Sequence, residues 1–319
     1  VLIARGDRIL LEKAYGLASV ELGVPNTTHS RFQIASVSKT LTAAAVLKLV
    51  QQGRVDLDAP VSRYVPEYAP GRNITIKQLL THTSGVPDVN QLPVYASLGL
   101  QHRTPAEIVA AFKDVPLKFP PGSSYAYSNS NYVLLALVIE RASGLSYGDF
   151  MRREIFAPLG MVDSGHRGDA TAIVPNMTEG YERAPDGQLK LTPWFDWSVK
   201  TGNGSLYATA ADLYRFIRGY FDGRVVSGRL VQDATTPKPV PLRAPGYEWM
   251  SPDVGYGWMI DANLGRRRLF HIGRSPGYSA AMAYYPDDKL TVVVLSNIYV
   301  HVTLKASEAF AAMTLGLRR

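Results

Sequence analysis

The chain has 319 residues, enough for one large domain or two lobes sharing a core, and its 46% hydrophobic and 19% charged content fits an ordinary soluble globular protein. It has no cysteine, which removes disulfides, thiolate catalysis and cysteine-based metal sites together, and no apolar run reaches the ~18 residues of a membrane span. The net charge of +7 is dispersed, its densest cluster being Arg266-Arg267-Arg268, and basic and aromatic residues do not interleave, so no nucleic-acid partner is expected.

The chain opens Val1-Leu2-Ile3-Ala4, without Met and already inside a strand-like run. We therefore read an N-terminal segment, with room for an export signal, as removed or not shown. Residues 1–5 and 8–14 read as strands around the turn pair Gly6-Asp7. A Gly/Pro/Thr/Asn stretch from Tyr15 to Ser30 leads into Phe32-Gln33-Ile34-Ala35-Ser36-Val37-Ser38-Lys39-Thr40. From Ser36 to Gln52 there is no Gly or Pro, the apolar surface is broad, and Gly53 stands at the expected C-cap, which predicts a buried helix.

An irregular connector from Arg54 to Tyr68 precedes a short helix at 75–80 and the loop Thr81-His82-Thr83-Ser84-Gly85-Val86-Pro87. Thr104-Pro105-Ala106-Glu107 is a capping box opening a helix to about Lys113, and a strongly apolar helix follows from about Asn129 to Ala142. Ser146 opens another helix, which Pro158 stops. Residues 164–205 are loop-rich, and Trp194, Phe195 and Trp197 are expected to cover a core edge. Thr209-Ala210-Ala211-Asp212 reads as a further capping box, with a helix to about Phe221. Strands are expected at 256–260, 267–272, 278–285 and 290–296, the last two joined by a Pro286-to-Lys289 turn, and a closing helix at 303–315.

Strands at both ends most simply join one antiparallel sheet flanked by helices, with a mainly helical lobe inserted, an α/β (α+β) architecture. We place the sheet lobe at 1–58 and 203–319, the helical lobe at 59–202, and the Ser36 helix at their junction, where a cleft is expected.

Three stretches carry candidate chemistry. Ser36 and Lys39 stand at i and i+3 of a helix start, where a desolvated lysine can take a proton from the hydroxyl and free N–H groups favour an oxyanion. The bland alternative is a serine N-cap and a solvated lysine. Tyr127-Ser128-Asn129 lies at a loop-to-helix junction, where the phenol could relay protons and the Asn129 amide bind a substrate amide, or where the triplet simply caps the helix. In His271-Ile272-Gly273, Gly273 would admit close backbone approach and His271 would offer a polar or cationic group, unless it is a histidine on a sheet face.

In that order, the three stretches resemble the Ser-x-x-Lys, Tyr-x-Asn and Lys/His-x-Gly motifs of the serine β-lactamase-related family. Its members include class C β-lactamases, D-alanyl-D-alanine carboxypeptidases and family VIII-type esterases. Leu79-to-Asp88 is similar to that family's Leu-Leu-Thr-His-Thr-Ser-Gly-Leu-Pro segment, and Leu206-to-Leu213 and Pro276-to-Ser279 match further stretches. The resemblance spans nearly the whole chain. It implies a β-lactamase/transpeptidase-like fold, with Ser36 the acylated nucleophile, Lys39 its base and Tyr127 a proton shuttle. Asn129, His271, Gly273 and Arg274 would bind substrate, and the backbone N–H groups of Ser36 and Arg274 would form the oxyanion hole. It implies no metal or organic cofactor, a small ester, amide or D-peptide as substrate, and an exported bacterial protein, with a cytoplasmic one as the alternative.

Gly273-Arg274-Ser275-Pro276-Gly277 also fits Gly-x-Ser-x-Gly. A nucleophile elbow needs the backbone N–H after its serine, and Pro276 has none, so this reading is rejected. Two departures from the family pattern bear on substrate. Ile272 supplies no hydroxyl where Thr or Ser often stands, and Arg274 replaces a small residue. They move the expectation toward an esterase or amidase, with a D-specific peptidase, a weak β-lactamase, an acyltransferase and an inactive ligand-binding homologue as alternatives.

Overall fold

The computed structural model describes residues 1–240, 243–244 and 253–317. Its largest sheet has seven strands, here β1 (Leu2–Arg5), β2 (Arg8–Glu12), β3 (Asp253–Val254), β4 (Met259–Asn263), β5 (Arg266–Ser275), β6 (Tyr278–Tyr285) and β7 (Leu290–Ser296). Their order across the sheet is β3-β4-β5-β6-β7-β1-β2, antiparallel throughout. Strands from both ends of the chain thus join one sheet, with Leu2 opposite Val293.

Both faces of the sheet are covered, and the residues alternate accordingly. Leu2, Ala4, Met282 and Val293 face the core shared with the helices before β3, whereas Ile3, Ala283, Val292 and Val294 pack beneath the C-terminal helix Thr303–Thr314. Every residue of β6 is buried as a result. The Arg266-Arg267-Arg268 cluster is spent within the fold. Arg266 pairs with Asp288, Arg268 with both Asp261 and Glu308, and Arg267 donates to the Thr235 carbonyl.

The central helix Ser38–Gln51 is buried on nearly all sides and packs against the equally apolar helix Asn129–Ser143, which ends at Gly144 with φ 73°. It begins two residues later than the sequence predicts, because Ala35–Val37 forms a separate 3-10 turn ahead of it. The Thr104–Glu107 capping box is present in full. At Thr209 only half of one forms. Its hydroxyl accepts from Asp212 N–H, while the Asp212 carboxylate turns to Asp163 N–H, Ser164 Oγ and Arg215. Pro158 lies inside the last turn of its helix, which Gly160 closes with φ 66°. β4 begins at Met259 rather than 256, since Gly257 turns the chain with φ 75° against the central helix. A short helix, Gly228–Thr235, and small strand pairs within 17–25 and 181–191 are additional to the expected elements; the helix turns Leu230, Val231 and Ala234 toward the core. Among the described residues, no helix is long and apolar enough to cross a membrane.

Candidate active site

The approach to Ser36 is fixed by a second, small sheet. Phe32–Gln33 pairs with Leu206–Ala208, and Ile34 N–H continues the pairing to Leu206 O at 3.0 Å. The chain then reverses at Ala35, which takes φ 48°, a left-handed conformation uncommon without glycine. This turn presents Ser36 one step ahead of the central helix, whose first turn places Lys39 beneath it.

Lys39 is fully buried. Its Nζ donates to Asn129 Oδ1 and the Asn203 carbonyl, each at 2.8 Å, and lies 3.0 Å from Ser36 Oγ. Burial holds its pKa well below the ordinary lysine value; Asp88 opposes that shift and the charge of Lys200 adds to it. A neutral amine has two N–H donors and one lone pair. With both donors taken by carbonyl-type oxygens, the lone pair is left for the Ser36 hydroxyl proton.

Tyr127 hydrogen-bonds Ser36 and stands over Lys39, whose Nζ is 4.9 Å from the ring centroid. Burial pushes its phenol well above the usual tyrosine range, and the bond to Ser36 offsets this only in part. The phenol therefore keeps its proton, and of the two groups beside Ser36 only Lys39 is poised to accept one. The Tyr127 ring stacks on His82 at 4.4 Å between centroids. His82 Nδ1 accepts from Ser128 N–H at 3.1 Å, and its carbonyl accepts from Ala126 N–H at 3.0 Å. The loop after the short helix Ile76–Leu80 thus clamps the Tyr127 segment on both sides.

Asn129 is held in one orientation by Asp88. The carboxylate accepts from Asn129 N–H at 3.2 Å and from Nδ2 at 3.2 and 3.1 Å, so Oδ1 must face Lys39. Asp88 thus engages the Asn129 amide nitrogen from one side, and Asn129 also lines a cavity together with Ser36.

The third wall is the second half of β5, which pairs with β6 on one side and, among the described residues, has no strand on the other beyond Phe270. There the strand lies directly against the Ala35–Val37 turn. A Cβ on Gly273 would come within 2.2 Å of Ile34 O and 3.1 Å of Ser36 N, so only glycine permits the approach. Ile272 and Arg274 line a cavity of about 330 Å³ together with Ser36, Tyr127 and Asn129. His271 does not. It is buried, its Nδ1 against the Ile272 carbonyl at 2.7 Å, with its pKa pushed down to about 3, chiefly by burial. The imidazole is neutral, and the cationic role open to His271 in the sequence does not fit its surroundings. Ser275 is buried at a β5–β6 hairpin rather than a strand-to-helix elbow, so the Gly-x-Ser-x-Gly match is incidental.

The structure adds residues to which sequence reasoning assigned no role. Asp88 and His82 lie in the 79–88 segment and orient the Tyr127-to-Asn129 triplet. Lys200 and Asn203 also line the cavity. The available signal for them was Lys200-Thr201-Gly202, itself a Lys-x-Gly triplet outside any predicted strand.

A buried lysine on a serine hydroxyl, a protonated phenol beside them and a glycine strand edge against the serine turn are the parts an acyl-transfer site requires. Comparison with known proteins agrees. The Beta-lactamase family model matches residues 1–312. The chain belongs to the Beta-lactamase family. Penicillin-binding protein 4* of Bacillus subtilis is 31% identical, over 97% of this chain and 71% of that protein. Among solved structures, a penicillin-binding protein from Bacillus halodurans superposes with a TM-score of 0.86 at 28% identity, covering 98% of this chain and 94% of that one. The D-amino acid amidase of Ochrobactrum anthropi SV3 also gives 0.86, at 25% identity over 99% and 93%. The chain is accordingly a serine hydrolase of the Beta-lactamase family, with that family's mixed α/β fold.

Proposed function

We propose that the protein cleaves small amides or peptides of D-configured amino acids through an acyl-enzyme on Ser36. The observation that carries this is Lys39, buried, with both amine N–H groups committed and Ser36 Oγ at 3.0 Å. Ser36 Oγ attacks the substrate carbonyl as Lys39 Nζ takes its proton. The oxyanion is met by the backbone N–H groups of Ser36 and Arg274. The proton passes by way of Tyr127 to the leaving amine as the C–N bond breaks, giving the Ser36 ester. Water then attacks that ester, giving up a proton to Lys39 or through Tyr127, and the acid departs with Ser36 Oγ reprotonated.

The D-amino acid amidase and the penicillin-binding proteins support an amide or peptide substrate. Ile272 favours a second reading, an esterase, because an apolar residue lines the cavity where a hydroxyl could have held a substrate carboxylate.

Intact-mass spectrometry with parallel product release separates the two. The substrates are D-alanine amide, a D-alanyl peptide, a p-nitrophenyl short-chain ester and a chromogenic cephalosporin, with Ser36→Ala as control. An acyl adduct absent from Ser36→Ala and fastest turnover of the D-amide or D-peptide are expected. Turnover of the ester alone would favour the second reading, and no adduct with any substrate would overturn both.

A further inference from the structure

Lys200 ends the 3-10 turn Trp197–Lys200, which Asp196 caps by accepting from Ser198 N–H at 2.9 Å. The side chain is only 5% exposed, and it lines the same cavity as Ser36. Its ammonium has no hydrogen bond or ion pair among the described residues. What it has is two rings, Tyr95 at 5.5 Å and Phe195 at 5.3 Å from their centroids. A buried cation without a counter-charge is costly, and two ring faces compensate it only in part.

Asp88, the carboxylate that lines this cavity, makes no ion pair with Lys200; its oxygens accept from Asn129 and Asn90 instead. On another wall stands a second cation, Arg274, with its guanidinium against the His301 ring. Asn203, one turn beyond Lys200, also lines the cavity and has an amide nitrogen without a partner. The cavity therefore carries two cations, Lys200 and Arg274, against one carboxylate, Asp88, whose oxygens are already engaged.

Resting on the acyl-enzyme reading, we propose that Lys200 is a specificity residue that anchors a carboxylate carried by the substrate. The missing counter-ion is the substrate itself. The cavity wall at Lys200 thereby supplies what Ile272 withdraws, a polar hold on an anionic group, from a loop rather than from β5. A carboxylate could be carried on the acyl part or on the leaving part, and Lys200 would recognise either in the same way.

The test compares kcat/KM within matched pairs. p-Nitrophenyl hemiglutarate against p-nitrophenyl valerate reads the acyl side, and acetyl-D-alanyl-D-alanine against its C-terminal amide reads the leaving side. In one pair the wild-type enzyme should prefer the acid, and Lys200→Met should lower that acid-to-neutral ratio by about tenfold or more, the usual worth of a charged hydrogen bond. Lys200→Arg should retain most of the preference. The wild-type preference should also shrink as salt rises, a readout that stands even if Lys200→Met fails to fold. No acid preference in either pair, or a ratio unchanged in Lys200→Met, overturns the proposal. A ratio unchanged with a shifted pH profile would instead make Lys200 a residue that acts only through Lys39. Turnover persisting in Ser36→Ala would sink the acyl-enzyme reading, a failure distinct from that of Lys200.

Discussion

At the scale of single residues, the site works by leaving each polar atom only one thing to do. In the proposed reaction Lys39 must be uncharged to accept the Ser36 proton, and that sets the expected pH dependence. The neutral form is active and its pKa is lowered, so kcat/KM should be lost as pH falls through a limb well below the ordinary lysine value. His271, already pushed down to about 3, stays neutral across that range, so the limb should survive in His271→Asn; a limb that vanished with His271 would contradict the assignment. Ser36→Ala should abolish the acyl adduct at a stability cost within ~1 kcal/mol, checked by mass and thermal melting. Lys39→Ala should slow acylation by about 10²–10⁴-fold, the range for a lost general base, in single-turnover kinetics. Asp88→Asn sets an N–H or a carbonyl against the two donors of Asn129, freeing that amide to turn from Lys39. One unmade buried bond of ~1–3 kcal/mol corresponds to roughly tenfold to a hundredfold in kcat. Ser36 and Lys39 stand out in the sequence as a pair at i and i+3, whereas Tyr127 stands out only through the resemblance of its triplet to a family motif, and the structure places all three side by side. Asp88 and Lys200 do not stand out, because what they do depends on partners 41 residues away in the one case and on the absence of a partner in the other.

At the scale of elements, the strand edge and the serine turn must touch, and Gly273 is where they do. Gly273→Ala places a methyl within 2.2 Å of the Ile34 carbonyl, so β5 and the turn must separate. A displacement near 1 Å at the proposed oxyanion donors should cost about a hundredfold in kcat/KM, whereas the far-UV circular dichroism spectrum should be unchanged. Most elements were legible from pattern. β6 and β7 keep the expected bounds because their turn and their β-branched and small residues agree. The helix at 228–235 escaped because its apolar face spans only two turns, and the strand pairs within 17–25 and 181–191 because they are two or three residues long and defined by tertiary contacts. The serine turn escaped for a related reason. A left-handed Ala35 has no signal in its own residue type, only in the sheet and strand that confine it.

At the scale of the whole molecule, the sheet ties the chain's beginning to its later strands. Removing residues 1–13 would strip β1 and β2 and leave β7 as an open edge, uncovering the fully buried Leu2 and Ala4 neighbourhood. Insolubility, or a melting temperature lower by on the order of 10 °C by circular dichroism, is expected, and an unaltered melt would show the hairpin to be dispensable. The same pairing has a temporal meaning. Leu2 leaves the ribosome about 290 residues before Val293, its partner, and at the usual pace of synthesis that is a wait of about 15–60 s. Through all that time β1 has only its hairpin partner β2 to pair with, and for most of it the β5 wall of the cleft has not been made. The nascent chain is thus an unfinished hydrolase until almost its last strand, and it acquires activity and cooperative stability together, after translation has passed β7.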